Sequence, residues 1–210
     1  MPPLPPSRRR LAAGREAPAR LCRGARYKRA MRVVIVGTSG AGKTTLARRL
    51  SHEFGLAHVE LDAINWQPGW RALYEEDLPE FTRRVAAATA GERWVCDGAY
   101  GRVRDVLWPR ATHLVWLDLP RHAILRQVIV RSLIRGLTRT PVFNGNREDL
   151  RQMFEPDSPV RTAWTHFHRN RARYEAALAQ PEHAHLTLLR IARRSEVASV
   201  AARIRGSCAA

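Results

Sequence analysis

Lys43 is one of only two lysines in a chain that carries 34 arginines, and it stands where a lysine can do phosphate chemistry. The run Gly37-Thr38-Ser39-Gly40-Ala41-Gly42-Lys43-Thr44 fits G-x-x-x-x-G-K-[ST] at every fixed position. Glycines let such a loop turn its N–H groups inward around phosphate oxygens. The lysine offers a mobile ammonium to the β- and γ-phosphates of ATP, and the hydroxyl of Thr44 offers a ligand to Mg²⁺. The expected nucleotide-binding set is therefore Gly37, Thr38, Ser39, Gly40, Ala41, Gly42, Lys43, Thr44 and Thr45.

A magnesium ion beside a phosphate loop needs a carboxylate, usually at the end of a neighbouring strand. Asp97, in Trp94-Val95-Cys96-Asp97-Gly98, is the best placed and is expected to hold Mg²⁺ together with Thr44. Asp62 is expected to face an acceptor hydroxyl or phosphate as base or orienter. Asp118, just before Pro120, is the third candidate and could equally cap the next helix. Arg131, Arg135, Arg139, Arg147 and Arg151 crowd one segment around an irregular stretch, as in a lid that closes over phosphates and shuts out water. Arg131 is the catalytic candidate among them. Trp66, Pro68 and Trp70, following Asp62, are expected to shape the acceptor pocket.

The elements that must position these groups follow from hydrophobic spacing. Val33–Val36 is an apolar run ending at Gly37, as expected of a strand buried on both faces. Leu46, Ala47, Leu50 and Phe54 share one helical face, with Gly55 as a stop. Further strands are expected at His58–Leu61, Trp94–Cys96, His113–Leu117 and Leu186–Ile191. Helices are expected around Leu78–Val85, from about Arg121 to Arg135 with a stop at Gly136, over about 159–179, and over 195–204. Strands alternating with helices predict an α/β domain: a five-stranded parallel sheet with helices on both faces and the site at the carboxyl ends of the strands.

In the helix over 159–179, Trp164, Phe167, Tyr174 and Leu178 form an apolar stripe, and Arg171 falls inside it. An inward arginine must find an anion or lift its head to water. Arg171 is thus expected to point into the site and contact phosphate, with Arg169 and Arg173 exposed. A buried pair with an acid such as Asp105 is the alternative.

Composition bounds the rest. The chain has 210 residues, 45% of them hydrophobic, and a formal net charge of +17. Residues 1–30 hold nine Lys/Arg against the single acid Glu16 and almost no large apolar residues, so a disordered basic tail is expected there. Met31 precedes the first strand and is an expected alternative start. The folded domain is expected over 31–206, with its lid at about 131–151. Three cysteines show neither metal spacing nor a disulfide framework, which predicts a cytoplasmic, reducing setting. No apolar run reaches the length of a membrane span.

The segments GTSGAGKTTLARRL, HVELDAINWQPGW, WVCDGAYGRVRDV and HLVWLDLPR together resemble the small adenylate-kinase-related P-loop proteins known as DNA topology modulation proteins. The resemblance covers about residues 31–195. It implies a nucleoside-monophosphate-kinase-like core with strand order 2-3-1-4-5, an arginine-bearing lid, and the use of ATP and Mg²⁺. Two departures bear on the acceptor. Adenylate kinases carry Asp-Gly-Phe-Pro-Arg after the third strand, whereas Asp97-Gly98-Ala99-Tyr100-Gly101-Arg102 lacks the proline and sets the arginine one place late. Their phosphate loop usually has proline where Ser39 stands. The expectation is a phosphotransferase acting on a nucleotide or another small acceptor. The competing expectation is an ATP-binding regulator that associates with nucleic acid, although no helix-turn-helix, zinc or RNA-binding signature accompanies the basic charge.

Overall fold

The structure is a computed structural model that describes residues 29–149, 151 and 158–209. Almost all of the expected basic tail lies outside the described residues.

Strand β1 (Met31–Gly37) is buried along nearly its whole length, and its side chains alternate between two cores. Val33 and Ile35 belong to one cluster of buried residues and Val34 and Val36 to the other, the period-2 consequence of a pleated strand with both faces covered. The phosphate loop leads from β1 into α1 (Lys43–Phe54), which buries Leu46, Ala47, Leu50 and Phe54 and ends at Gly55 in the left-handed conformation. Strand β2 (Ala57–Glu60) runs directly into the short helix α2 (Leu61–Asn65). Helix α3 (Leu78–Ala88) opens on a side-chain cap, where Asp77 accepts from the N–H of Glu80 at 3.0 Å.

Strand β3 (Arg93–Asp97), helix α4 (Arg104–Leu107), strand β4 (His113–Leu117) and helix α5 (Arg121–Thr138) follow. After them come α6 (Pro159–Thr165), α7 (Phe167–Leu178), β5 (Thr187–Ile191) and α8 (Val200–Ala209). The five strands pair in the order β2-β3-β1-β4-β5, all parallel, the 2-3-1-4-5 order that the resemblance implied. Residues of α1, α5 and α8 fill one core with Val33 and Ile35; residues of α3, α4 and α7 fill the other with Val34 and Val36. The fold is a doubly covered α/β sheet, and β1, the central strand, delivers the phosphate loop at the sheet's carboxyl edge.

Four elements differ from expectation. The last helix, expected over 195–204, is α8 at Val200–Ala209, preceded by a 3₁₀ stretch at Arg194–Ser199. Helix α5 does not stop at Gly136, which is buried inside it; the helix runs to Thr138 and turns off at Arg139, φ 47°. The expected irregular stretch 137–147 instead holds an antiparallel pair, Pro141–Val142 with Asn146–Arg147. The single helix over 159–179 is two helices, α6 and α7, meeting at His166.

Candidate active site

Gly40 and Gly42 adopt positive φ, and a side chain on Gly40 would overlap the Val128 methyl of α5. Only glycine allows the loop to lie this close to that helix. Gly42 caps α1 without a side-chain hydrogen bond, and the first turn of α1 holds no acid. Its N–H donors and the positive end of its dipole are therefore available to an anion. The Lys43 ammonium folds back onto its own loop, donating to the Gly37 carbonyl at 3.1 Å and the Thr38 carbonyl at 3.2 Å. Burial pulls its pKa below the ordinary lysine value; Asp62 and Asp97 oppose that shift and Arg131 adds to it. Lys43, Asp62, Asp97 and Arg131, drawn from four elements, thus lie within electrostatic reach of one another.

Asp97 is 3% exposed. Its Oδ2 accepts from the Thr44 hydroxyl at 2.6 Å, and its Oδ1 lies 2.6 Å from Nε2 of His58. Glu60 approaches the same hydroxyl, Oε1 to Oγ1 3.4 Å. Register explains the meeting: Glu60 sits beside Asp97 in the β2–β3 ladder, and His58 is two residues earlier on the same strand face. Burial, then the charge of Asp97, holds the Glu60 carboxyl above its ordinary pKa. A hydroxyl and two carboxylates form an oxygen donor set of the kind that suits Mg²⁺. His58 and Glu60 were not singled out from sequence. The signal was there in polar residues alternating along a strand that otherwise ends in apolar ones.

Asp62 stands in the first turn of α2, and its Oδ1 accepts from the Tyr100 hydroxyl at 2.7 Å. Burial, with the Asp62 charge behind it, pushes the phenol pKa well up, so Tyr100 remains a donor. Gly98 makes this approach possible: at φ 150° a Cβ there would lie 2.6 Å from Cβ of Leu61.

Of the lid arginines, Arg131 is the one whose charge acts on Lys43. Burial is the main cause that lowers its pKa, and its Nε is buried without a hydrogen-bond partner, a donor placed to meet an anion. Arg135 pairs with Glu148 at 2.7 Å. Arg139, Arg147 and Arg151 are exposed.

Arg171 does not reach into the site. Its side chain is 46% exposed, and its guanidinium lies 3.6 Å from Asp118 and 3.5 Å from Glu175. The physical reason is helical phase. The buried face is Ala163, Phe167, Tyr174 and Ala177, one step away from the stripe anchored on Trp164, which is 54% exposed under the stacked guanidinium of Arg121. Asp118 likewise serves neither site nor cap; it pairs with Arg190 at 2.5 Å. Arg169 is exposed as expected, while Arg173, expected at the surface only, also lines a cleft beside the phosphate loop.

That cleft, about 530 Å³ of empty space including its open mouth, has an apolar floor of Val34, Val36, Leu61 and Cys96 and a rim of Tyr100, Arg104, Asn170 and Arg173. Arg104 stacks over Trp108 at 4.7 Å. Neither Arg104 nor Arg173 has an acidic partner among the described residues; burial raises the pKa of the Tyr174 phenol, and the charges of both arginines oppose that rise. Trp66, Pro68 and Trp70 do not line this cleft; they form a separate flap, with the two indoles 5.5 Å apart edge to face.

A shikimate kinase from Symbiobacterium thermophilum is 30% identical over 128 residues, which are 55% of this chain and 71% of that protein. The chain belongs to the shikimate kinase family of P-loop kinases. No family model matches it. A bifunctional pantoate ligase/cytidylate kinase from Gloeobacter violaceus is 36% identical over 70 residues, 33% of this P-loop kinase but only 14% of that relative's length. Two crystal structures align over most of the chain at low identity. A gluconokinase from Sinorhizobium meliloti shares 16% identity with a TM-score of 0.47, covering 86% of this chain and 92% of its own. A shikimate kinase from Bacteroides thetaiotaomicron shares 15% with a TM-score of 0.49, covering 86% and 99%. Among the described residues, no helix is long and apolar enough to cross a membrane.

Proposed function

We propose that this protein transfers the γ-phosphoryl group of ATP–Mg²⁺ to a hydroxyl of a small acceptor that also carries an anionic group. The observation that carries this reading is the convergence of Lys43, Asp62, Asp97 and Arg131 at the mouth of the phosphate loop. The residues present fit the nucleotide: a loop that needs Gly40, an uncapped helix start, an ammonium resting on its own loop's carbonyls, and a buried guanidinium Nε with no hydrogen-bond partner. They fit Mg²⁺ through Thr44 and Asp97, with Glu60 beside them.

Bound ATP–Mg²⁺ supplies the phosphoryl group and a partly neutralised γ-phosphorus. Lys43 and Arg131 hold positive charge where the transferring group develops negative charge, and phosphoryl transfer is accelerated chiefly by charge placed in this way. Asp62, held by Tyr100, orients the acceptor hydroxyl and takes its proton as its oxygen bonds phosphorus and the bond to the β-phosphate breaks. Arg104 and Arg173 bind the acceptor's anionic group over the apolar floor of the cleft. The sequence relatives are named for shikimate and cytidylate, two small anions. The membership of the adenylate-kinase-related DNA topology modulation group, suggested by the motif order, agrees with the same chemistry.

The test is a transfer assay with γ-labelled ATP and Mg²⁺ against two panels, hydroxy acids and nucleoside monophosphates. Label in an anionic acceptor, lost in Arg173→Ala through a raised KM, is the expected result. Label only in neutral polyols would reject the anionic subsite, and no label in any acceptor would reject the kinase.

A further inference from the structure

Two hairpins meet each other beside α2, the helix that carries Asp62. The flap is the pair Trp66–Gln67 with Arg71–Ala72, turning through Pro68–Trp70. The lid hairpin is the pair Pro141–Val142 with Asn146–Arg147. They are joined by two asparagine side chains that bond the flap's main chain.

Asn146 is 6% exposed. Its Oδ1 accepts from the N–H groups of Gly69 at 2.9 Å and Trp70 at 3.0 Å. Its Nδ2 donates to the carbonyls of Gln67 and Phe143, both at 2.9 Å. An amide has two acceptor and two donor positions, and all four are used, three of them on the flap. From the far end of the turn, Asn144 donates to the carbonyls of Ala63 at 3.2 Å and Trp66 at 2.6 Å. The Trp70 indole donates back to the Arg147 carbonyl at 3.2 Å.

The flap's own turn is strained. Trp70 has φ 60°, a conformation unfavourable for a bulky side chain and kept only where surrounding contacts over-determine it. The contacts that hold it come from the lid hairpin. The lid hairpin in turn is fastened to α5 by Glu148 on Arg135, one helical turn from Arg131.

We propose that Asn144 and Asn146 are positioning residues that fasten flap to lid, so that the two hairpins open and close as one body. The covers over the Asp62 side and the Arg131 side of the site then move together, and neither substrate subsite closes alone. This proposal rests on the kinase reading only for what lies beneath the hairpins.

Amide hydrogen exchange tests it on the whole chain. In the wild type, without nucleotide, the amides of 66–72 and 141–147 exchange with one common opening rate. In Asn146→Ala the Gly69 and Trp70 amides exchange about tenfold faster, the consequence of losing a buried acceptor, while β1 amides are unchanged. Asn146→Asp, which keeps both acceptor bonds, restores most of their protection. Asn144→Gly, which tolerates the local φ of 56°, loosens the fastening and speeds flap exchange by a smaller factor, because Asn146 still holds Gln67, Gly69 and Trp70; it reports even if the Asn146 variant does not fold. Adding the ATP analogue AMP-PNP with Mg²⁺ slows exchange equally in both hairpins of the wild type but less in the flap than in the lid of Asn144→Gly. Different opening rates for the two hairpins in the wild type, or unchanged flap exchange in both deletion variants, would overturn the proposal. If AMP-PNP gives no protection at 37–45, the kinase reading fails and the nucleotide-free comparison still decides the fastening.

Discussion

The Tyr100 hydroxyl donates to Oδ1 of Asp62 across 2.7 Å, joining the segment after β3 to the helix after β2. Tyr100 itself is wedged between rings, 5.0 Å from Tyr74 and 5.1 Å from Phe81, so the phenol cannot swing away. It fixes the carboxylate that we propose receives the acceptor proton.

Tyr100→Phe keeps the ring packing and deletes that bond. Hydrogen bonds to charged groups contribute about 1.5–3 kcal/mol, so kcat should fall roughly ten- to a hundredfold while Tm moves by a few degrees at most. Steady-state kinetics beside a melting curve checks this; an unchanged kcat would remove Asp62 from the proton-accepting role.

His58 backs the carboxylate that faces Thr44. Groups that orient a metal ligand typically alter metal affinity about ten- to a hundredfold. His58→Ala should therefore raise the Mg²⁺ concentration needed for half-maximal AMP-PNP binding by about tenfold, read by calorimetry with no turnover involved. Equal Mg²⁺ dependence in the two proteins would make His58 a packing residue.

Arg171 and Arg173 stand two residues apart on α7 and should behave oppositely. Arg171→Ala removes an exposed pair with Glu175, worth about 0–1 kcal/mol, and a long contact with Asp118, which keeps Arg190 as its partner, and should leave kcat/KM within about twofold. Arg173→Ala should raise the acceptor KM about tenfold, the order expected for one charge-assisted bond. The reverse pattern would restore the expectation first drawn from the helical stripe.

The Glu60 carboxyl is held above its ordinary 4.5 by burial first and by Asp97 next. The folded chain therefore binds this proton more tightly than the unfolded chain, and the group's contribution to stability falls as pH rises from 4.5. Glu60→Gln should raise Tm near neutral pH in metal-free buffer, with the gain vanishing as pH falls toward 4.5. A gain independent of pH, or a lower Tm at neutrality, would contradict the assignment.

The sheet was legible because β1 is a β-branched run closed by Gly37 and β3 and β4 are apolar runs ending at Asp97 and Asp118, and the phosphate loop because its residue types are demanded by backbone geometry. Asp97 beside Thr44 followed from strand ends lying together at one edge of a parallel sheet. The Arg171 expectation failed for a reason that periodicity alone hides. Trp164 looks like a core anchor, but it stacks under Arg121 at the surface, and the break at His166 separates it from the buried face of α7. Arg104 and Arg173 meet in the cleft only because α7 crosses the segment after β3, a tertiary contact with no local pattern. The work of Asn144 and Asn146 was equally hidden, since their partners are main-chain atoms about eighty residues away.

The central claim, that Lys43 serves phosphoryl transfer from ATP, is tested most directly by label transfer from γ-labelled ATP–Mg²⁺ with the wild type and Lys43→Ala side by side, with melting curves for both. The account predicts labelled acceptor from the wild type, a loss of at least about a thousandfold in the variant on removing a charge that stabilises the transition state, and similar Tm values. Equal transfer by the two proteins would contradict it.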